Sequence, residues 1–275
     1  MIPPIARRFV AGESVPAVVE HVRTLAGDDI GAICNLLGEH HTDPDTVDAD
    51  IATYQELASA LTAAGVDAGL SVKPSQVGLE LGRDRLADAI ETLVRTTETP
   101  IWVDMEDHTT TDATLDVVTA AMRAHPDRLG VCIQANLRRS ADDIRRLAPL
   151  PGKVRLVKGA YDEPPSVAIR SKAAVDAQYR TLLELLFREA DGGIAVGSHD
   201  PAMIEHAATL ADRYDTPYEV QMLTGVREDA QRSLAGAVPV VQYVPFGDRW
   251  LSYFYRRIRE RKENALFAAR AIIGR

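Results

Sequence analysis

Eight short apolar runs, each followed by a stretch of helical periodicity, narrow the possible folds of this chain more than any other feature. The runs are "GAICNLL" (31–37), "AGLSVKP" (68–74), "PIWVDM" (100–105), "LGVCIQA" (129–135), "VRLVKGA" (154–160), "GIAVGS" (193–198), "YEVQML" (218–223) and "VPVVQYV" (238–244). Helical patterns follow over 46–64, 83–95, 111–124, 140–148, 169–190, 200–214, 226–236 and 248–272. Eight strand–helix units in roughly 250 residues are the pattern of an α/β fold closed into a (β/α)8 TIM-type barrel. The runs are almost continuously apolar, as parallel strands buried on both faces require. An open doubly wound sheet would also alternate, but no Gly-x-Gly-x-x-Gly follows the first run. "TDPDT" and "SHDPAM" each set Asp before Pro at the head of a helical stretch, a strong start signal, and "GRDR" is a weaker one. Residues 1–29 are then an N-terminal arm with one short helix, and 30–275 the barrel domain.

Composition removes several function classes. Lys and Arg number 31 against 40 Asp and Glu, a formal charge of −9, which argues against nucleic acid as a partner. Cys34 and Cys132 each sit inside an apolar run and read as buried thiols, not as a metal pair or a redox motif. No apolar run approaches the ~18 residues of a membrane span, and the N-terminus lacks the apolar core of a signal peptide. The expected location is cytoplasmic.

In such a barrel the reactive groups belong at the C-terminal ends of the strands, where the loops form the mouth. The ends read in order as Glu39, Lys73, Asp104 with Glu106, Gln134, Arg155 with Lys158, His199, Gln221 and Tyr243. Most have a bland reading: Glu39 belongs to a loop, the glutamines satisfy backbone groups, and a lone histidine is structural. Lys73 and Lys158 are different, because a lysine in an apolar β-run needs a partner. Asp104 on the neighbouring strand is the expected partner of Lys73. The last helical stretch carries "YFYRRIRERKEN" (253–264). At about 100° per residue, Tyr253, Arg256, Arg257 and Glu260 share one face. By itself that face favours a solvated surface.

Taken together, "SVKPSQVG", "VDMED", "GVCIQANLRR", "VRLVKGAYDEP", "GSHD", "YEVQMLTG" and "YVPFGDRWLSYFYRRIRE" occur in this order. They resemble the catalytic domain of the proline dehydrogenase family in its bacterial single-function form, and "NLLGE" at 35–39 is similar to its first-strand motif. The resemblance spans about Asn35 to Phe267. It implies an FAD-dependent barrel that oxidises L-proline to Δ1-pyrroline-5-carboxylate by hydride transfer to flavin N5, the first step of proline catabolism. Electrons pass to a quinone, which implies peripheral contact with the inner face of the cell membrane. By motif, Lys73, Arg256 and Arg257 would hold the substrate carboxylate, with Asp104 and Glu260 balancing the cations. Leu223, Tyr243 and Tyr253 would wall the ring, the tyrosine at 243 favouring proline over hydroxyproline. Gln134, Arg155, Val157, Lys158, Gly159, Ala160, Tyr161, Ser198, His199 and Gln221 would bind the flavin, with Arg155 near N5. The final helix would lie over the barrel mouth.

Several positions depart from the family pattern. Asp162 stands where bifunctional members carry an aromatic residue, Ser198 where Thr is common, Arg261 where Asn is frequent, and Gln242 where aliphatic residues are frequent. The sequence shows no DNA-binding or aldehyde dehydrogenase domain of the bifunctional forms, so a separate pyrroline-5-carboxylate dehydrogenase is expected downstream. Two other classes remain open from the residues alone: a Schiff-base aldolase using Lys73 or Lys158, and a non-catalytic binding barrel.

Overall fold

The computed structural model describes residues 8–250. Eight parallel strands close into a barrel in chain order: β1 (Ile30–Leu36), β2 (Ala68–Val72), β3 (Ile101–Val103), β4 (Leu129–Gln134), β5 (Lys153–Val157), β6 (Ile194–Gly197), β7 (Tyr218–Leu223) and β8 (Val240–Phe246). β8 pairs with β1 over seven residues and closes the ring. The described helices are α1 (Val15–Gly27), α2 (Pro44–Ala64), α3 (Arg83–Thr96), α4 (Thr111–Ala124), α5 (Ser140–Leu147), α6 (Lys172–Glu189), α7 (Pro201–Tyr214) and α8 (Glu228–Ala235). The expected final helix, 248–272, falls almost wholly outside the described residues, and its placement over the mouth with it.

Local chemistry sets the element boundaries. Asp43 caps α2 by accepting from the Thr46 amide at 3.2 Å, and Asp200 caps α7 by accepting from the Ala202 amide at 3.1 Å; each is followed by Pro at the first helical position. α6 begins later than its periodicity suggests, because Ser171 caps it and the Ile169 amide is bonded to the Asn136 carbonyl at 2.8 Å. β2, β3 and β5 also stop short of the expected runs. Lys73, Asp104 and Lys158 therefore stand one residue past the strand ends, where the chain turns; the amides of Gln76 and Val77 both donate to the Lys73 carbonyl.

The arm is integral to the core. Val18, Val19 and Val22 of α1 are buried in the main apolar cluster, which also contains Cys34 and Cys132, the latter bordering the barrel's inner cavity as well. Both thiols are free and buried as expected, and burial pushes Cys34 up to about 12. The arm runs beside the end of β8 through Ala11–Pro245 and Gly247–Gly12 backbone bonds, both 2.9 Å. Gln242, the polar residue amid aliphatic neighbours in β8, is explained here. It accepts from Thr224 at 2.9 Å, donates to Gln231 of α8 at 2.9 Å, and meets His21 of α1 at 2.8 Å.

A second fixed point lies beneath β1 and β2. The Tyr54 hydroxyl, wholly buried on α2, accepts from the Leu36 amide at 3.1 Å and donates to the Ser71 carbonyl at 2.8 Å. Replacing it leaves a buried amide without an acceptor. Tyr54→Phe is expected to lower the unfolding free energy by about 1–3 kcal/mol, read from the midpoint of denaturant unfolding; an unchanged midpoint would show that this hydroxyl does not hold the strands.

Candidate active site

The barrel interior differs from the layered apolar filling common to this fold. Ile33, Trp102 and Ala195 form a small apolar cluster inside, packed against Val241 and Tyr243. Beside it runs a column of polar side chains. At the barrel base, Lys153 Nζ meets Glu219 at 2.6 Å, and Gln221 Nε2 donates to Glu219 at 2.6 Å. Arg155 Nη1 donates to Gln221 Oε1 at 3.1 Å, and Arg155 Nη2 donates to Asp104 Oδ1. The guanidinium lies 5.1 Å from the Trp102 ring centroid and 5.6 Å from that of Tyr243, within cation–π range of both.

Asp104 collects the most partners at the mouth end of the column. Besides Arg155, it accepts from the Tyr243 hydroxyl at 2.7 Å and from Ser71 Oγ at 2.8 Å. The expected pairing with Lys73 is present at 3.8 Å, and Lys73 Nζ also donates to Asn35 Oδ1 at 3.1 Å. Burial alone would push the Asp104 carboxyl up, but the Arg155 and Lys73 charges, with bonds from Tyr243 and Ser71, hold it below the usual carboxylate range. Glu106, two residues on, shows the opposite balance. Burial raises it above the ordinary value despite bonds from the Ser75 amide and hydroxyl, both 2.7 Å.

Above the column opens a cavity of about 340 Å³. Lys73, Asp104, Arg155, Gln221, Leu223 and Tyr243 line its inner part. Gln134, Val157, Lys158, Gly159, Ala160, Tyr161, Ser198 and His199 line the part reaching toward the loops after β5 and β6. Every described residue expected at the site thus borders one space. Tyr253, Arg256, Arg257 and Glu260 lie outside the described residues, and Glu39 does not border the cavity.

In the outer part Gly159 has φ +110, and a Cβ there would fall 2.1 Å from Asn136 Oδ1, so only glycine fits beside that side chain. Gln134 is held by Glu106 O at 2.7 Å and reaches the Ala160 amide at 3.3 Å. His199 Nε2 accepts from the Leu223 amide at 3.1 Å. Lys158 stands between Asp176 at 2.5 Å and Asp200 at 2.7 Å. Both cavity lysines therefore face carboxylates, unlike the apolar or cationic surroundings that activate a Schiff-base lysine. Asp162 is exposed and pairs with Arg170 at 2.7 Å; Ser198 accepts from the Asp200 amide at 3.1 Å.

The proline dehydrogenase family model matches residues 18–270. The proline dehydrogenase of Deinococcus radiodurans is 35% identical over 98% of this chain and 90% of its own length. The chain belongs to the proline dehydrogenase family. Proline dehydrogenase 1 of Bacillus subtilis (strain 168) is 32% identical over 98% of the chain and 90% of its own length. Among solved structures, proline utilization A (PutA) from Bdellovibrio bacteriovorus, inactivated by N-propargylglycine, aligns with a TM-score of 0.86 at 22% identity. That match covers 94% of this chain and 32% of the PutA chain, so the present chain corresponds to about a third of it and shares its fold.

Motif reading missed Asn35, Ser71 and Trp102, which hold Lys73, Asp104 and Arg155, and the pair His108–Glu163. Buried Glu163 accepts from the His108 amide at 2.8 Å and contacts its ring, fastening the loop after β5 to the one after β3. Ser71 and Trp102 were legible as the residues two before Lys73 and Asp104, hence on the same face.

Because the Asp104 carboxyl is held low, its stabilisation is complete above about pH 4 and fades only as pH falls through the lowered folded value. Asp104→Asn strands two buried cations and is expected to lower stability by about 3–5 kcal/mol at neutral pH, and to flatten the acid limb of the stability profile. Denaturant unfolding across pH measures both; a profile parallel to that of the unmutated protein would contradict the assignment.

Proposed function

We propose that the chain oxidises L-proline to Δ1-pyrroline-5-carboxylate using bound FAD, with a quinone as electron acceptor. The observation that carries this reading is that Lys73, Asp104, Arg155 and Tyr243 share a cavity with a glycine-lined outer part. The residue set fits the cofactor. Gly159 and Ala160 present exposed backbone to the cavity with no large side chain, and Arg155 supplies a fixed cation. Gln134, Arg155, Val157, Lys158, Gly159, Ala160, Tyr161, Ser198, His199 and Gln221 would hold it.

FAD, when bound, supplies the hydride acceptor for proline C5. The chain's own residues supply position and charge. Lys73 presents its ammonium to the proline carboxylate, and Arg256 and Arg257 complete the grip with planar forks. Asp104 keeps Lys73 and Arg155 apart and oriented, while Glu260 balances the arginine pair. Tyr243 is fixed through its bond to Asp104 and, with Leu223 and Tyr253, walls the ring and excludes water. Asp104 stays ionised under its four partners, and His199 Nε2 is engaged with the Leu223 amide. In this reading the substrate amine loses its proton to solvent before reacting.

Residues 30–275 form the catalytic domain in this reading and 1–29 the arm. No described helix is long and apolar enough to cross a membrane. In this reading, delivery of electrons to quinone calls for peripheral contact at the inner face of the cell membrane. A separate pyrroline-5-carboxylate dehydrogenase would consume the product.

The purified protein is expected to show flavin absorption bands that L-proline bleaches in the absence of oxygen. A protein that neither carries nor takes up FAD would defeat the reading. Arg257→Met is expected to raise KM for proline by at least about tenfold, the loss of one charge-assisted bond, with flavin retained; an unchanged KM would remove Arg257 from the site. Turnover should also climb as pH rises above neutrality, whereas an acid optimum would point to a dedicated base.

A further inference from the structure

The polar column continues below the cavity to residues that touch neither proposed ligand. Lys153 and Arg155 sit two apart on β5, and Glu219 and Gln221 two apart on β7, so each pair faces the barrel interior. β6 lies between them. Its inward positions are Ala195, paired with Arg155 and Glu219, and Gly197, paired with Gln221. These small residues leave room for the β5 and β7 side chains to meet across β6. At Gly197 a Cβ would come within 2.7 Å of Val157 Cγ1 and 3.3 Å of Arg155 Cγ.

The direction of the Gln221 amide follows from its neighbours. A carboxylate only accepts and a guanidinium only donates. The amide therefore turns its NH2 to Glu219 at 2.6 Å and its oxygen to Arg155 at 3.1 Å. The flipped amide would oppose oxygen to carboxylate and NH2 to guanidinium, two repulsive contacts in a buried, weakly screened setting. Gln221 and Arg155 are both 4% exposed, so water is poorly placed to compensate. Glu219 thus fixes an amide orientation that fixes Arg155 Nη1, while Asp104 fixes Nη2.

We propose that Glu219, at the barrel base, is a positioning residue that acts through Gln221 to hold Arg155 in the geometry it uses beside the flavin. Lys153, half exposed, caps the outer side of Glu219 and keeps its charge paired. The proposal rests on the reading of Arg155 as a flavin contact and adds a residue two layers removed from the chemistry.

The test uses the full-length flavoprotein with Glu219→Leu, Glu219→Gln, Gln221→Leu and the double variant Glu219→Leu/Gln221→Leu. Glu219→Leu is expected to lower kcat at least tenfold, with KM for proline changed less than threefold, and to shift the potential of the bound flavin negative. Glu219→Gln keeps an acceptor oxygen and should recover most of the loss in both readouts. Because Glu219 acts through Gln221, the double variant should be no worse than Gln221→Leu alone. Multiplying losses, or a Glu219→Leu protein with unaltered kcat and potential, would overturn the proposal. If Glu219→Leu does not fold, comparison of Glu219→Gln with and without Gln221→Leu decides it, since its small defect must vanish in the second background. Wild-type protein that binds no flavin would defeat the underlying reading instead, and so is a distinct outcome.

Discussion

The Asp104 carboxylate is the contact on which the site depends. It is buried among Arg155, Lys73, Tyr243 and Ser71, contributed by β5, β8 and the end of β2, and it is the one group that all four share. An ion pair in a barrel interior contributes little net stability against an apolar filling. Its value lies in fixing direction: two cations that would otherwise repel are set at a defined separation, with an aromatic hydroxyl beside them. Below it the column of Gln221, Glu219 and Lys153 extends the same alternation of donor and acceptor to the barrel base.

This arrangement leaves a surplus of positive charge where the cavity begins. Of the charged groups lining its inner part among the described residues, Lys73 and Arg155 are cations and Asp104 is the single carboxylate. Lys73 is further held by a neutral partner, Asn35, which steers the ammonium without cancelling it. Farther out, Lys158 is balanced by Asp176 and Asp200, so the imbalance is confined to the inner end. Under the proposed function the proline carboxylate would supply the matching negative charge, which agrees with the family to which the chain belongs.

The fold was legible because a closed parallel barrel writes a strong signal: near-continuous apolar runs at regular spacing, with Asp-Pro helix starts at Asp43 and Asp200 that the structure retains. The mouth residues were legible as polar groups ending those runs, and the Lys73–Asp104 pairing followed from strand adjacency. The layer beneath was missed. Ser71, Lys153 and Glu219 share faces with Lys73, Arg155 and Gln221, but within a strand each also reads as an ordinary polar position. Only the closed register shows that the small Ala195 and Gly197 let β5 and β7 side chains meet. Gln242 stands out among the aliphatic residues of β8, yet its partners come from α1, α8 and the loop after β7, which no local pattern brings together.

The most direct test of the charge surplus compares L-proline with L-prolinamide, which keeps the ring and amine but lacks the carboxylate. With the purified flavoprotein, kcat/KM for the amide is expected to be at least about a hundredfold lower, the worth of one to two charge-assisted hydrogen bonds. The same ratio should shrink sharply in Lys73→Met. Comparable kcat/KM values for the two substrates would contradict the claim that the inner cavity is built around a missing carboxylate.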